Sequence, residues 1–244
     1  MPGHPGPPEF IRLAAHPLRW RLLTELAAGD HRVRDLVAVL GEPQNLVSYH
    51  LRLLRDGGLV TARRSTFDGR DSYYRLEPDR CGDGLVQTGT ALHPALQLQV
   101  APPAPPARRR FAVLFVCTGN TARSPMAEAL LRHHSGGRVD VTSAGTRPGP
   151  GRHPDAARVL RAQFDIDLAD RPPQHVDAVA DRRFTHVITL CDKAREACPD
   201  FSDTPRRAHW STPEPSDEPT FQWTAADLDT RVRYLLPTLK ETRP

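Results

Sequence analysis

The run Cys117-Thr118-Gly119-Asn120-Thr121-Ala122-Arg123-Ser124 places a thiol and a guanidinium six positions apart, with only short side chains between them. Short residues let successive backbone N–H groups turn inward and form a concave anion cradle, here Thr118 to Arg123. Arg123 adds a planar, permanently charged fork that matches a tetrahedral oxyanion. A helix starting just after the loop adds partial positive charge at the same place. Such a field favours thiolate over thiol, and a thiolate is the nucleophilic form. The chemistry indicated is attack of the Cys117 sulfur on a bound oxyanion or its ester. Asn120 suits the left-handed backbone that such a loop requires, and Ser124 is placed to donate its hydroxyl to the sulfur.

The elements around this loop are predicted from periodicity. Residues 111–116 form a short apolar strand that leads into Cys117, and a helix follows over 125–134. Further strands are expected at 139–143, 185–190 and near 208–210. Helices are expected at 154–163, 192–197 and 224–240. Strands alternating with helices imply an α/β doubly wound, four-stranded parallel sheet. Active sites of such sheets lie at the C-terminal strand ends, where Cys117 falls.

The N-terminal part has a different pattern. Apolar positions at helical spacing cover 9–28, a short helix is expected at 33–40, and a third helix starts near Pro43 and stops at Gly57-Gly58. Two β-type runs, 59–65 and 71–76, are joined around Asp68-Gly69, a hairpin signal. Helix, short helix, helix, hairpin is the order of a winged helix-turn-helix domain. The Pro/Arg-rich stretch 99–109 is expected to be an extended linker. It separates a DNA-binding domain over 1–98 from an α/β domain over 110–244. A weakly patterned helix over 84–98 is a candidate dimerising element.

The bulk properties fit this division. A chain of 244 residues holds one large or two small domains. Its hydrophobic share of 39% supports a core, and its net charge of +4 permits contact with nucleic acid without requiring it. No apolar run approaches the ~20 residues that span a bilayer. The first residues lack a basic region followed by an apolar one, so a cytoplasmic protein is expected. Its four cysteines, at 81, 117, 191 and 198, do not form a secreted disulfide framework and read as catalytic, redox or metal residues.

The segment from Val116 to Ala129 resembles the phosphate loop of low-molecular-weight protein tyrosine phosphatases, and equally that of the arsenate reductases sharing their fold. Ser143-Ala144-Gly145-Thr146 resembles a second motif of this superfamily. The stretch Cys191-Asp-Lys-Ala-Arg-Glu-Ala-Cys198-Pro is similar to the redox segment of thioredoxin-coupled arsenate reductases. The resemblance implies a relay. Cys117 forms a thiol–arsenate adduct, Cys191 attacks Cys117 and releases arsenite, and Cys198 then moves the disulfide to a 191–198 pair open to thioredoxin. An undistorted helix would hold residues 191 and 198 about 10 Å apart along its axis. A disulfide needs Cα atoms within about 7 Å, so the relay requires 192–197 to unwind or bend.

The same resemblance implies a general acid on a late loop, where Glu214 precedes Pro215 in place of the usual Asp, with Asp217 as a backup. It also implies a structural potassium ion at Asn120, Glu128 and Ser143; no other cofactor is required. In the N-terminal part, residues 44–60 resemble the recognition helix of arsenical-repressor-family (ArsR-type) regulators, which bind double-stranded DNA as homodimers. Gln44, Asn45, Ser48 and Tyr49 would face base edges. Arg52, with Arg63, Arg64 and Arg70 on the wing, would hold phosphates. Repressors of this family that sense arsenite use a Cys-x-Cys pair where this chain has Arg32-Val33-Arg34, so that site cannot exist here.

The expected function is therefore arsenate reduction fused to a transcriptional regulator in arsenic resistance. Two alternatives remain open at this stage. One is phosphatase activity with the distal cysteines incidental. The other is a repressor that senses an oxyanion or redox state without turnover.

Overall fold

The computed structural model describes residues 6–96, 111–168, 171–199, 201 and 206–239. The chain divides into two compact units, 1–102 and 103–244, each with its own core. The linker expected at 99–109 lies outside the described residues.

In the first unit, α1 (Glu9–Ala14), α2 (Pro17–Ala28), α3 (Val33–Leu40) and α4 (Gln44–Asp56) surround a core of leucines and valines. The apolar spacing over 9–28 belongs to two helices. His16 takes an extended backbone ahead of Pro17, and its ring accepts from the Leu18 N–H, which ends one helix and caps the next. Gly41, at φ 68°, closes α3 in the left-handed conformation. A three-stranded antiparallel sheet follows in the order β1-β3-β2, from β1 (His31–Arg32), β2 (Val60–Arg64) and β3 (Ser72–Leu76). The two-residue β1 is too short for any period to reveal. A final helix, α5 (Pro78–Leu92), starts six residues before the expected 84 and has no fully buried side chain. Pro78 in the first turn explains the earlier start.

The second unit is a four-stranded parallel sheet in the order β5-β4-β6-β7. Its strands are β4 (Ala112–Cys117), β5 (Asp140–Gly145), β6 (His186–Thr189) and β7 (Arg206–His209). Helices α6 (Arg123–His134), α7 (Pro154–Phe164), α8 (Asp192–Ala197) and α9 (Glu218–Leu235) complete the layers. The central strand β4 is buried on both faces, which is why it reads as a continuous apolar run. Leu114 and Phe115 of β4 and Ile188 of β6 are fully buried, each contributing roughly 1.5–3 kcal/mol by removal from water.

Helix α9 begins at 218, not 224. Asp217 caps it by accepting from the Thr220 N–H at 3.0 Å, and Pro219 is tolerated in the first turn.

Candidate active site

Cys117 is the last residue of β4, level with Gly145 at the end of β5. The chain then turns sharply, and α6 starts at Arg123. The carbonyls of this turn point outward and are held by the loop after β5. Cys117 O accepts from Thr146 N (3.1 Å), Thr118 O from Arg147 N (2.8 Å), Gly119 O from Gly149 N (2.9 Å) and Thr121 O from His153 N (2.9 Å). The Asn120 carbonyl accepts from the Arg152 guanidinium. With the carbonyls turned out, the N–H groups of Thr118 to Arg123 are left for the concave side. The Asn120 N–H donates to the Cys117 sulfur at 3.2 Å. No side chain caps α6, whose first-turn donors therefore face the same concavity.

Asn120 adopts φ 51°, as its position in the loop requires. Its side chain braces that conformation from three directions. The amide nitrogen donates to Ser124 Oγ and to Ser143 Oγ, both at 2.9 Å, and the amide oxygen accepts from Gln174 N at 3.0 Å. Ser124 Oγ lies 3.0 Å from the Cys117 sulfur, as the sequence reading placed it. Gly145 is required for packing here: a Cβ on it would come within 2.7 Å of the Thr118 carbonyl and 3.0 Å of Asn120.

Arg123 is nearly enclosed, with 4% of its side chain exposed. Its guanidinium donates to the Thr212 carbonyl at 3.0 Å and to Glu214 Oε2 at 2.8 Å. Thr212, which no sequence signal marks, fixes the plane of the fork through its main chain. Glu214, whose side chain is 73% exposed, does reach the site, but as an acceptor from Arg123. Asp217, the expected backup, is engaged as the cap of α9. Thr220 donates to it from its hydroxyl (2.6 Å) and its N–H (3.0 Å), and these bonds hold its carboxyl below the usual carboxylate range.

Cys191 and Cys198 flank α8, and both are free thiols. Cys191 follows β6, the strand adjacent to β4, and is buried. Its sulfur lies 3.2 Å from the Thr118 hydroxyl, so parallel pairing brings it beside the residue that follows Cys117. Cys198 is half-buried, and its N–H still donates to Ala194 O at 2.8 Å, so α8 is helical up to it.

Asn120, Glu128 and Ser143 do converge, but not as a potassium site. Ser143 Oγ donates to Glu128 Oε2 (2.6 Å), and Arg132 donates to Glu128 Oε1 (2.6 Å) and to Val141 O (3.0 Å). The Asn120 oxygen is taken by Gln174. The guanidinium of Arg132, one helical turn from Glu128, supplies the positive charge that a bound cation would bring. The residues present therefore do not fit a bound potassium ion.

In the first unit, α4 buries Val47, His50, Leu51 and Leu54 on one face. The opposite face presents Gln44, Asn45, Tyr49 and Arg52 to solvent, with Ser48 half-buried. Arg64 and Arg70 are exposed on the hairpin and Arg63 is half-buried. Arg32 and Arg34 form ion pairs with Asp71 at 3.6 and 2.8 Å, and Arg32 with Asp35 at 3.1 Å. Cys81 is half-buried against this unit's core, and burial first, then Glu77, pushes its thiol up to about 11.

A strand, a cysteine-led concave loop and a helix, set in a four-stranded parallel sheet, define an α/β fold of low-molecular-weight phosphatase type. The family model described as low molecular weight phosphotyrosine protein phosphatase matches residues 112–244, more than half of the 244, and the chain belongs to that family. Residues 16–62 match the family described as bacterial regulatory protein, arsR family. Arsenate reductase from Brevibacillus brevis is 30% identical over 128 residues, covering 52% of this chain and 94% of the relative. Arsenate reductase 1 from Bacillus cereus is 31% identical over 123 residues, covering 50% and 90%. Among solved structures, arsenate reductase from Archaeoglobus fulgidus matches at 31% identity with a TM-score of 0.45, covering 51% of this chain and 98% of that one.

Proposed function

We propose that the second unit reduces arsenate to arsenite by a cysteine relay and that the first unit binds DNA as an ArsR-type regulator. The observation that carries the enzymatic reading is the approach of Cys191 to the Thr118 hydroxyl at 3.2 Å. A phosphatase of this fold needs one cysteine. Here a second thiol stands just beyond the end of the neighbouring strand, beside the cradle residue Thr118.

On this reading the chemistry is stepwise. Arsenate sits in the cradle against Arg123 and the inward N–H groups. The Cys117 thiolate displaces an oxygen from arsenic, which leaves as water or hydroxide and gives a thiol–arsenate adduct. The Cys191 thiolate attacks the Cys117 sulfur. The S–As bond breaks with its electron pair moving to arsenic, which departs as arsenite. Cys198 then attacks Cys191, freeing the Cys117 thiolate and leaving a 191–198 disulfide. Two thiols have supplied two electrons, and a thioredoxin-type dithiol restores them.

The rim favours an inorganic oxyanion over phosphotyrosine. The loops at 146–153 and 211–217 contain no Phe, Tyr or Trp, and the one aromatic ring they carry, that of His153, packs against Phe221 with centroids 4.6 Å apart. The exposed face of α4 and the arginines of the hairpin support major-groove docking with phosphate contacts, and the exposed α5 supports a homodimer. Among the described residues no helix is long and apolar enough to cross a membrane.

The test is NADPH consumption with arsenate, thioredoxin and thioredoxin reductase, comparing wild type with Cys191→Ser. Turnover that vanishes in the variant supports the relay. Absence of turnover in both, with phosphoester hydrolysis that depends on Cys117, replaces it with a phosphatase.

A further inference from the structure

Two acceptors hold the Arg123 fork, and they differ in kind. Glu214 is an exposed side chain, and a bound oxyanion competes with it for the guanidinium. The Thr212 carbonyl belongs to the main chain of a fully buried residue, so it is the fixed acceptor. The plane of the fork is therefore set by whatever holds the segment 210–212.

Three ties hold that segment. Trp210 N donates to Thr189 O at 2.8 Å, and Thr212 N donates to Leu190 O at 3.2 Å. The third tie is made by a side chain: Ser211 Oγ donates to Asp192 Oδ1 at 2.6 Å. Ser211 is buried, and Asp192 is fully buried in the first turn of α8. A hydroxyl on a carboxylate at this length makes a charge-assisted bond, roughly twice as strong as a neutral one. It outweighs either main-chain tie.

The carboxylate is itself fixed. His209 Nε2 lies 3.1 Å from the same Oδ1, and His209 Nδ1 lies 2.8 Å from Thr189 Oγ1. With its proton on Nε2, the ring donates to Asp192 and accepts from the Thr189 hydroxyl, so both nitrogens are used. A buried carboxylate is costly unless its hydrogen bonds are satisfied, which favours this one arrangement of Asp192, His209 and Ser211.

We propose that Asp192 is a positioning residue for the oxyanion fork. Through Ser211 it fixes the Thr212 carbonyl, and the carbonyl fixes the plane in which Arg123 meets a tetrahedral oxyanion. The proposal rests on the reading of Arg123 as that fork, which a reductase and a phosphatase share, and not on the cysteine relay.

The experiment reads the fork without turnover, by alkylating the full chain with iodoacetate or iodoacetamide. Both reagents react with Cys117 by one step: the thiolate attacks the methylene carbon, an S–C bond forms and iodide leaves. They are alike in size, but only iodoacetate presents an anionic pair of oxygens to Arg123. Rates are measured by mass spectrometry of the Cys117 peptide. General loosening of the fold changes both rates together, whereas displacement of the fork changes their ratio. In the wild type iodoacetate should react faster, and inorganic phosphate should protect Cys117 from both reagents.

In Ser211→Ala the iodoacetate-to-iodoacetamide ratio should fall about tenfold, and phosphate should protect about tenfold more weakly, as expected for a sub-ångström displacement. Asp192→Asn keeps the shape and an accepting oxygen but loses the charge, and its ratio should fall about threefold. A Ser211→Ala ratio equal to that of the wild type overturns the proposal, whatever the melting temperature of the variant. If Ser211→Ala does not fold, an unchanged ratio in Asp192→Asn overturns it equally. If wild-type Cys117 shows neither a preference for iodoacetate nor protection by phosphate, the oxyanion reading of Arg123 fails and the proposal with it.

Discussion

The hydroxyl of Thr118 and the sulfur of Cys191 lie 3.2 Å apart although 73 positions separate them in the chain. Thr118 thus has two roles: its N–H belongs to the oxyanion cradle and its side chain belongs to the second cysteine. Thr118→Val keeps the first role and removes the second. The expected outcome is phosphoester hydrolysis within about threefold of wild type, with multiple-turnover arsenate reduction slowed roughly tenfold, since one lost hydrogen bond is worth about 1 kcal/mol and a charged one somewhat more. Steady-state rates for both reactions in one preparation check this.

Glu214 occupies one edge of the Arg123 fork at 2.8 Å. A bound oxyanion brings negative charge to the same guanidinium. Glu214→Gln should therefore tighten competitive inhibition by phosphate severalfold. If Glu214 also delivers a proton to the leaving oxygen, the variant should slow hydrolysis of alkyl phosphates far more than that of p-nitrophenyl phosphate, by about 10²-fold or more. Equal effects on both esters confine Glu214 to the charge role.

Arg132 closes the Glu128–Ser143–Asn120 chain that braces the nucleophile loop. Exchange of KCl for NaCl at constant ionic strength should leave the wild-type rate unchanged. Arg132→Gln should lower kcat severalfold, because Glu128 loses its counter-charge behind the loop. Initial rates in the two salts, for both proteins, decide it.

His186, at the start of β6, is pushed down to about 4, first by burial and then by Arg206. Its folded value is below the ordinary 6.5, so the neutral ring is the stable folded form. The associated stability is present above about pH 6.5 and is lost as pH falls toward 4. Calorimetry should show the melting temperature dropping across that window, and His186→Gln should flatten the drop.

Arg52 and Gln44 share the exposed face of α4. Arg52→Ala should weaken DNA binding about equally for all sequences and reduce the salt slope by about one. Gln44→Ala should instead relax preference at one base pair, at about 1–3 kcal/mol. Titrations at several salt concentrations separate the two.

Much of the architecture was legible because its causes are local. The β4 run is apolar throughout because the strand is buried on both faces, and α3 and α4 announce themselves by amphipathic spacing and flanking glycines. The failures are equally physical. The single periodic stretch over 9–28 hid a break that His16 and Pro17 impose. The start of α9 was missed because a capping Asp followed by Pro reads as loop until the cap is seen. The two-residue β1 has no period at all.

By itself, the sequence determined the nucleophile loop. Its conformation follows from short residues, a left-handed Asn and a helix start within eight positions, so the spacing of Cys117, Asn120, Arg123 and Ser124 already implied that they come together. Only the tertiary structure decided what faces that loop. Pairing of β4 with β6 brings Cys191 to Thr118, the loop after β7 puts Thr212 and Glu214 on Arg123, and Arg132 fills the place expected for potassium. These contacts join residues on different elements or main-chain atoms that carry no residue-type signal. Strand order and loop packing create them, and neither is written in the local pattern of the chain.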